Sequence, residues 1–381
     1  MKGLRKLAII ILLVALVLSC CASIKVVSAG TTVGGSIDGD TTWTKAGSPY
    51  TLTADVEVSV KTTLTIQAGV TVNLQGYTLR TGWGYDEKAD QPLRATLITQ
   101  GTSDAPVRFN NGKISLEHSE DSTVEYSVLS ATSITVMYGS PSISYCTITG
   151  TGSGTGILCG ASESPEIVGN TISGWSTGIQ TGADTMGGGA RGHPQINQNT
   201  LTGNQVGVLI ILVDYGVGSW DFPKIVNNTI NGNSKVGMDF EVSGPRWKGG
   251  SVEEVVIENN NIYRNPVNAK ANAGSTLIAR NNWWGTADAE AIQNSMSGDV
   301  VYEPVLLAPY NKENPQLVTP TPVALLPTTQ PTVSSIPTQA DTSANQPNGE
   351  LNQVETWILY ALTVIIVLLT VLIALVLKKR N

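Results

Sequence analysis

P-E-I-V-G-N-T-I (Pro165–Ile172), P-Q-I-N-Q-N-T-L (Pro194–Leu201) and P-K-I-V-N-N-T-I (Pro223–Ile230) are three copies of one phrase. Two looser copies follow, V-V-I-E-N-N-N-I (Val255–Ile262) and I-A-R-N-N-W (Ile278–Trp283). In each, an apolar residue precedes an asparagine by three positions and another apolar or aromatic residue follows it by two. The recurring asparagines are Asn170, Asn199, Asn228, Asn260 and Asn281, separated by 29, 29, 32 and 21 residues. A period that varies while its phrase returns describes a solenoid whose loops differ in length.

The phrase also says which kind of solenoid. Apolar and polar residues alternate (Ile167, Ile172, then Ile179 and Thr181), so the unit is built of short strands, and no apolar run at helical spacing separates the copies. Short strands with Gly and Asn at their corners coil into a parallel β-helix. The asparagines then stack at one corner and turn inward, each amide bonding backbone groups and the Asn of the next coil. Asn suits that position because it tolerates left-handed backbone angles and carries both a donor and an acceptor. Working upstream, Ser127 and Cys146 fall at the corner that Asn170 occupies, so the ladder is expected to begin as Ser, then Cys, then Asn. The fold class expected is all-β, a single-stranded right-handed parallel β-helix solenoid, with one C-terminal transmembrane helix.

The N-N-T-I corner, the closing N-N-W-W-G (Asn281–Gly285) and the opening L-T-I-Q-A-G-V-T-V-N-L (Leu64–Leu74) resemble those of right-handed parallel β-helix proteins of pectate-lyase-like architecture. G-T-S-D-A-P-V-R-F (Gly101–Phe109) and V-E-Y-S-V-L (Val124–Leu129) add to the likeness, which is greatest to the NosD-like surface and periplasmic group. It spans about residues 31 to 310. The architecture hosts lyases, hydrolases, adhesins and inert stalks, so the resemblance implies a fold without an activity.

The two ends carry the cell-biological reading. Residues 1–29 have a basic start (Lys2, Arg5, Lys6), an apolar core and V-S-A before Gly30, the pattern of an export signal. Cys20 and Cys21 leave lipidation as a second reading. Residues 30–310 form the solenoid, entered through Gly30–Tyr50 with Trp43 and Tyr50 as candidate covers for the first coil. Gly82–Leu93 reads as an outer loop, and Gly285–Met296 as a short helix or covering turn. Residues 311–353 are rich in Pro, Thr, Ser and Gln and read as an extended stalk. Within residues 354–381, Trp357–Leu377 is uncharged and long enough to span a bilayer, and Lys378, Lys379 and Arg380 follow it. By the positive-inside rule the β-helix lies outside the cell and the C-terminus in the cytoplasm.

Composition narrows the partners. Charged residues make up 14%, against the usual ~25%, and the net charge of −7 without a basic stripe disfavours nucleic acid. Cleavage after Ala29 leaves Cys146 and Cys159. An even pair in an exported protein suggests a disulfide, whereas their inward positions suggest buried thiols. His118 and His193 stand far apart, so no metal constellation is present and no cofactor is expected. The metal association of some NosD-like relatives, and the calcium that pectate-lyase-like enzymes often hold, find no support in these residues.

Candidate chemistry lies on the strand after the Asn corner. Aligned on its leading glycine, the copies are G-I-Q-T-G-A-D (Gly178–Asp184), G-V-L-I-I-L-V-D (Gly207–Asp214) and G-M-D-F-E-V (Gly237–Val242). If Ile179, Val208 and Met238 point inward, then Leu158, Gln180, Leu209 and Asp239 form an outward column, with Glu241 in the next. Asp239 and Glu241 then lie roughly 6.5–7 Å apart at Cα, near the ~6.5–9.5 Å spacing of an inverting glycosidase. Neighbouring loops offer Asp214, Tyr215, Trp220, Asp221, Arg246, Trp247, Lys248 and Arg191 for substrate binding, with Trp175 as a further stacking platform. Pectate-lyase-like enzymes gather acids from several coils, while here a single coil supplies them. The function expected is therefore binding or structural, directed at an extracellular polysaccharide or an envelope or cell-surface partner. The alternative is a surface-tethered polysaccharide lyase or glycoside hydrolase using Asp239 and Glu241, with Asp214 or Asp221 as a candidate further acid. Asn227-Asn228-Thr229 is a glycosylation sequon whose Asn227 is expected to face outward.

Overall fold

The computed structural model describes residues 30–88, 90–160, 164–182, 192–213, 222–244 and 248–311. The signal-like segment, the Pro/Thr-rich stalk and Trp357–Leu377 lie outside them. Among the described residues no helix is long and apolar enough to cross a membrane.

Each repeat is one coil of three strands. In the coil that carries the phrase P-E-I-V-G-N-T-I these are Glu166–Val168, Thr171–Ser173 and Thr177–Thr181. Each strand pairs in parallel with its counterpart one coil on. Ile167 sits beside Ile196, Ile172 beside Leu201 and Ile179 beside Val208. Parallel pairing in register places like residues above one another, so the core is a set of columns. Ile143, Ile167, Ile196, Ile225 and Ile257 form one; Ile148, Ile172, Leu201, Ile230 and Ile262 form a second. All ten are buried, and each side chain of this size contributes about 1.5–3 kcal/mol by leaving water. A third column runs through Ile157, Ile179, Val208, Met238 and Ala269.

The first corner explains the repeated phrase. It consists of two residues, one with positive φ and one turned inward. Tyr126, Tyr145, Gly169, Gln198, Asn227, Asn259 and Asn281 share the left-handed conformation, with φ between 42° and 68°. The residue after each is buried: Ser127, Cys146, Asn170, Asn199, Asn228, Asn260 and Asn282. Asn199 shows the bonding pattern. Its N–H donates to Asn228 Oδ1 at 2.8 Å, and its Nδ2 donates to Ile167 O at 2.8 Å and to Asn228 Oδ1 at 3.0 Å. The upstream members join the same chain. The Cys146 N–H donates to Asn170 Oδ1 at 2.9 Å, and the Cys146 thiol donates to Val124 O at 3.3 Å and to Ser144 O at 3.2 Å.

Asn281 is not the last rung. Asn282 accepts from the Asn260 N–H at 2.8 Å and is fully buried, whereas Asn281 holds the left-handed position, half-buried. The inward apolar residue of this copy is Ala279, not Ile278, and the asparagine three positions on from Ala279 is Asn282.

A second ladder turns the next corner. Asn204, Asn233 and Asn265 repeat the pattern, with the Asn204 N–H donating to Asn233 Oδ1 at 3.1 Å and the Asn233 N–H to Asn265 Oδ1 at 3.0 Å, and Asn268, three residues on in the same coil, accepts from the Asn265 N–H. Trp175 starts this ladder and is not a surface platform: it is 6% exposed. Its N–H donates to Asn204 Oδ1, and its indole N–H donates to Ile148 O in the preceding coil, as Asn204 Nδ2 does to Ile172 O. Beside this ladder Gly178, Gly207 and Gly237 are the second residues of their strands. A Cβ at Gly207 would stand 2.6 Å from Gly237 O and 2.9 Å from Asn233 Nδ2, so close approach of coil to coil excludes a side chain.

At the N-terminal end Trp43 and Tyr50 are buried and stacked, with ring centroids 4.7 Å apart. Gly82–Leu93 is not a loop but an antiparallel hairpin, Trp83–Asp86 with Gln91–Arg94. The helix Ala289–Asn294 covers the other end; Asp288 caps it by accepting from the Ala291 N–H, and Ile292 is buried. Cys146 and Cys159 are both buried thiols, at the first corner and in the strand Thr155–Gly160 respectively. Burial pushes the Cys146 thiol up to about 12, against opposing hydrogen bonds from Ser127.

Candidate functional site: an aromatic flank and a paired carboxylate

The outward column falls where the alternation of residues puts it. Leu158, Gln180, Leu209 and Asp239 are neighbours in successive coils, and Lys270 follows them. That fifth member changes the chemistry of the column. Lys270 Nζ lies 3.1 Å from Asp239 Oδ1 and 3.0 Å from Oδ2, so one ammonium group holds both carboxylate oxygens. Asp239 is 7% exposed. Glu241 lies two residues on in the same strand, Val236–Ser243, beside Ile211 of the preceding coil. Among the described residues, no three His, Cys, Asp or Glu side chains converge as a metal site would need.

Of the residues expected to bind substrate, Lys248 is described, and it is exposed. Arg191, Asp214, Tyr215, Trp220, Asp221, Arg246 and Trp247 lie outside the described residues. Asn227 faces outward beside the ladder, as its place in the phrase implies, with its Nδ2 donating to Asn197 Oδ1 at 2.9 Å.

A different surface gathers aromatic side chains. Trp83, at the base of the hairpin, stacks on His118 with centroids 4.5 Å apart and planes tilted by 34°. His118 stacks on Tyr138 at 5.0 Å and 20°. The rings come from successive coils, and their spacing is that of neighbouring parallel strands. Trp83 and Tyr85 alternate with Gly84 on one side of the hairpin and are 54% and 53% exposed, values that leave large apolar surfaces to water. Tyr85 donates a hydrogen bond to Asp90, which raises its phenol pKa and fixes the ring. A second stack, Tyr126 on Tyr145 at 5.0 Å, runs along the first corner, with Tyr145 52% exposed.

Sequence reasoning passed over these residues because each stands alone in the chain: Trp83 and His118 are 35 positions apart. A signal was present nonetheless. Tyr126 and Tyr145 each directly precede a ladder residue, and reading the column before the ladder as well as the ladder itself brings them together.

Residues 102–247 match a family model described as a right handed beta helix region. No curated protein and no solved structure matches the chain.

Proposed function

We propose that this right-handed parallel β-helix repeat protein acts as an exported, membrane-tethered surface module that binds extracellular polysaccharide along the flank of its coils. The observation that carries the reading is the aromatic flank of Trp83, Tyr85, His118 and Tyr138. Aromatic side chains exposed on a rigid scaffold give a ligand broad apolar contact at low entropic cost, because few rotors need to be fixed. The export signal, the Pro/Thr-rich stalk and the terminal apolar segment supply the setting in which such a surface would meet a polysaccharide. The carboxylates fit catalysis less well, since both Asp239 oxygens are occupied by Lys270 and, among the described residues, the adjoining coils place Leu209 and Lys270 beside Asp239.

The test uses the full chain in mild detergent against a panel of neutral and acidic polysaccharides, scored for retention and for product release. Retention without release, weakened about tenfold or more by Trp83→Ala with Tyr85→Ala, is the expected result. Product release that vanishes in Asp239→Ala with Glu241→Ala would replace this reading with the enzymatic one. Retention of envelope proteins but of no polysaccharide would move the partner to a protein class.

A further inference from the structure

The solenoid closes its two ends unequally. At the last coil the helix Ala289–Asn294 and the stretch after it bury Ile292 and Leu306. At the first coil Trp43 and Tyr50 fill the interior but leave a strand edge bare. The strand Thr31–Ile37 pairs in parallel with Tyr50–Val58, its one strand partner among the described residues, so its other side is open. Val33 and Ile37 pack on the core there and stay half-buried. Such edges are usually guarded by lysine, proline or an inward charge, and T-T-V-G-G-S-I has none of these. One bulge is present, on the covered side: the register moves between Val33 and Gly35, so Thr53, Ala54 and Asp55 share Gly34.

The backbone shows which groups face the opening. The Thr31 N–H donates to Pro49 O at 2.9 Å, and Ile37 O accepts from the Ser59 N–H at 3.0 Å, both toward the second coil. Strand alternation turns the N–H and C=O of Thr32, Gly34 and Ser36 the other way, and all three residues are exposed. An open row of this kind calls for a strand, and the rest of the chain is ill suited to supply one. Cleavage after Ala29 leaves Gly30 alone upstream. The chain departs from the other end, where Asn261 holds Tyr310, and residues 311–353 carry seven prolines. A proline has no N–H to give an edge. The longest run between them, Thr338–Gln346, has no apolar residue larger than alanine.

We propose that this edge is closed by the same edge of a second copy, in an isologous antiparallel pair about a twofold axis at Gly34. That register uses all three outward residues: Gly34 exchanges both bonds with its own mate, and Thr32 exchanges both with Ser36. Two glycines meet on the axis, so no side chain holds the strands apart there. Neither strand brings a charge to the pairing. The charges that flank it are complementary. The α-amino group of Gly30, freed by cleavage after Ala29, stands opposite Asp38 of the second copy, an exposed carboxylate whose Oδ1 accepts from Ser59 Oγ at 2.6 Å. Val33 and Ile37 of the two copies then continue one core through the axis. Because each chain departs from the far end of its solenoid, the pair suits copies tethered in facing membranes, which rests on the tethering part of the proposed function and not on its polysaccharide.

The experiment measures the mass of the mature full chain, in mild detergent, by sedimentation equilibrium over a range of concentrations. A concentration-dependent dimer is expected. Thr32→Lys with Ser36→Lys, both at exposed positions where folding is not at stake, sets like charges opposite one another and should weaken the dimer about tenfold or more. Thr32→Lys with Ser36→Glu sets unlike charges opposite in the same register and should restore it, a reversal that neither another interface nor a loss of fold would follow. Asp38→Asn should weaken the dimer by a smaller factor. A monomer at every concentration, a dimer indifferent to the double-lysine change, or no recovery with glutamate would each overturn the proposal. So would mass spectrometry showing a mature chain that begins upstream of Gly30, because the edge would then have its own leader to cover it. Polysaccharide retention is scored on the same variants and does not require the dimer, so failure of one reading leaves the other standing.

Discussion

Two stretches of the solenoid turn the same corner with different chemistry. Around residues 99–149 the inward corner positions hold Ser127 and Cys146, and the Ser127 hydroxyl donates to Glu125 O at 2.9 Å. From residue 170 to 282 the same positions hold five asparagines in succession, and a second ladder turns the following corner from Trp175 onward. Both stretches bury the backbone at the corner and face the same problem of pairing every N–H and C=O. A hydroxyl or thiol meets part of it, and a side-chain amide meets more, since it carries two donors and an accepting oxygen. The polar ladder is thus held in place by what its removal would expose, more than by the net strength of its bonds.

The largest expected effect tests that claim. Asn228→Ala removes the acceptor of the Asn199 N–H and the donors serving Ile196 O, Val226 O and Asn260 Oδ1. Several buried groups lose partners at once, so we expect a loss of about 3–5 kcal/mol in urea unfolding. Ser127→Ala should cost only about 1 kcal/mol. Equal losses would show that the corners are energetically alike and break the comparison.

Gly207→Ala comes next. Its Cβ would press on Gly237 O and on Ile230 Cγ2, each at 2.6 Å, and backbone on one side leaves little room to yield. A loss of about 2–3 kcal/mol is expected. At Gly203 an added Cβ would meet no atom within 4 Å, but φ is +66°, so the same change should show only the left-handed penalty of about 1–2 kcal/mol. If the two substitutions rank the other way, the second ladder is not as closely packed against its glycines as the distances indicate.

The thiol rung gives a pH signature that an amide rung cannot. Burial raises the Cys146 pKa from 9.0 to about 12 in the folded chain. The stability this supplies is fully present below about pH 9 and is lost as the pH climbs toward 12. In that window Cys146 adds a downward slope of about 1.4 kcal/mol per pH unit. Unfolding measured between pH 9 and 11 should therefore fall less steeply in Cys146→Ala than in the parent chain. Parallel slopes would mean that the sulfur reaches water.

How much of this was legible depended on repetition. The coil, the inward isoleucines and the first ladder were readable because parallel register repeats one phrase at like positions, and the column from Leu158 to Asp239 followed from alternation alone. Asn204 and Asn233 were equally periodic, five residues after Asn199 and Asn228, but Trp175 at the head of that series looked like a surface aromatic and hid it. Lys270 was one coil beyond the last aligned copy, so the Asp239 carboxylate stood without its partner. The flank of Trp83, His118 and Tyr138 was illegible for a different reason. Its members meet only because coils of unequal length bring distant residues into one line, and no local pattern records that meeting.

The smallest effect bears on the one rung that the phrase placed a residue too early. Asn281 has φ +57° and Asn282 is fully buried. Glycine accepts the left-handed region without cost, so Asn281→Gly should change stability by no more than about 0.5 kcal/mol. Asn282→Gly strips the acceptor from the Asn260 N–H and the donor from Ile257 O, Ala279 O and Arg280 O, and should cost about 3 kcal/mol. Both changes leave the neighbouring strand bonds in place, so their difference isolates the side-chain amide. An Asn281→Gly variant weaker than Asn282→Gly would return the ladder to the position that the phrase suggests and would deny Ala279 its inward place.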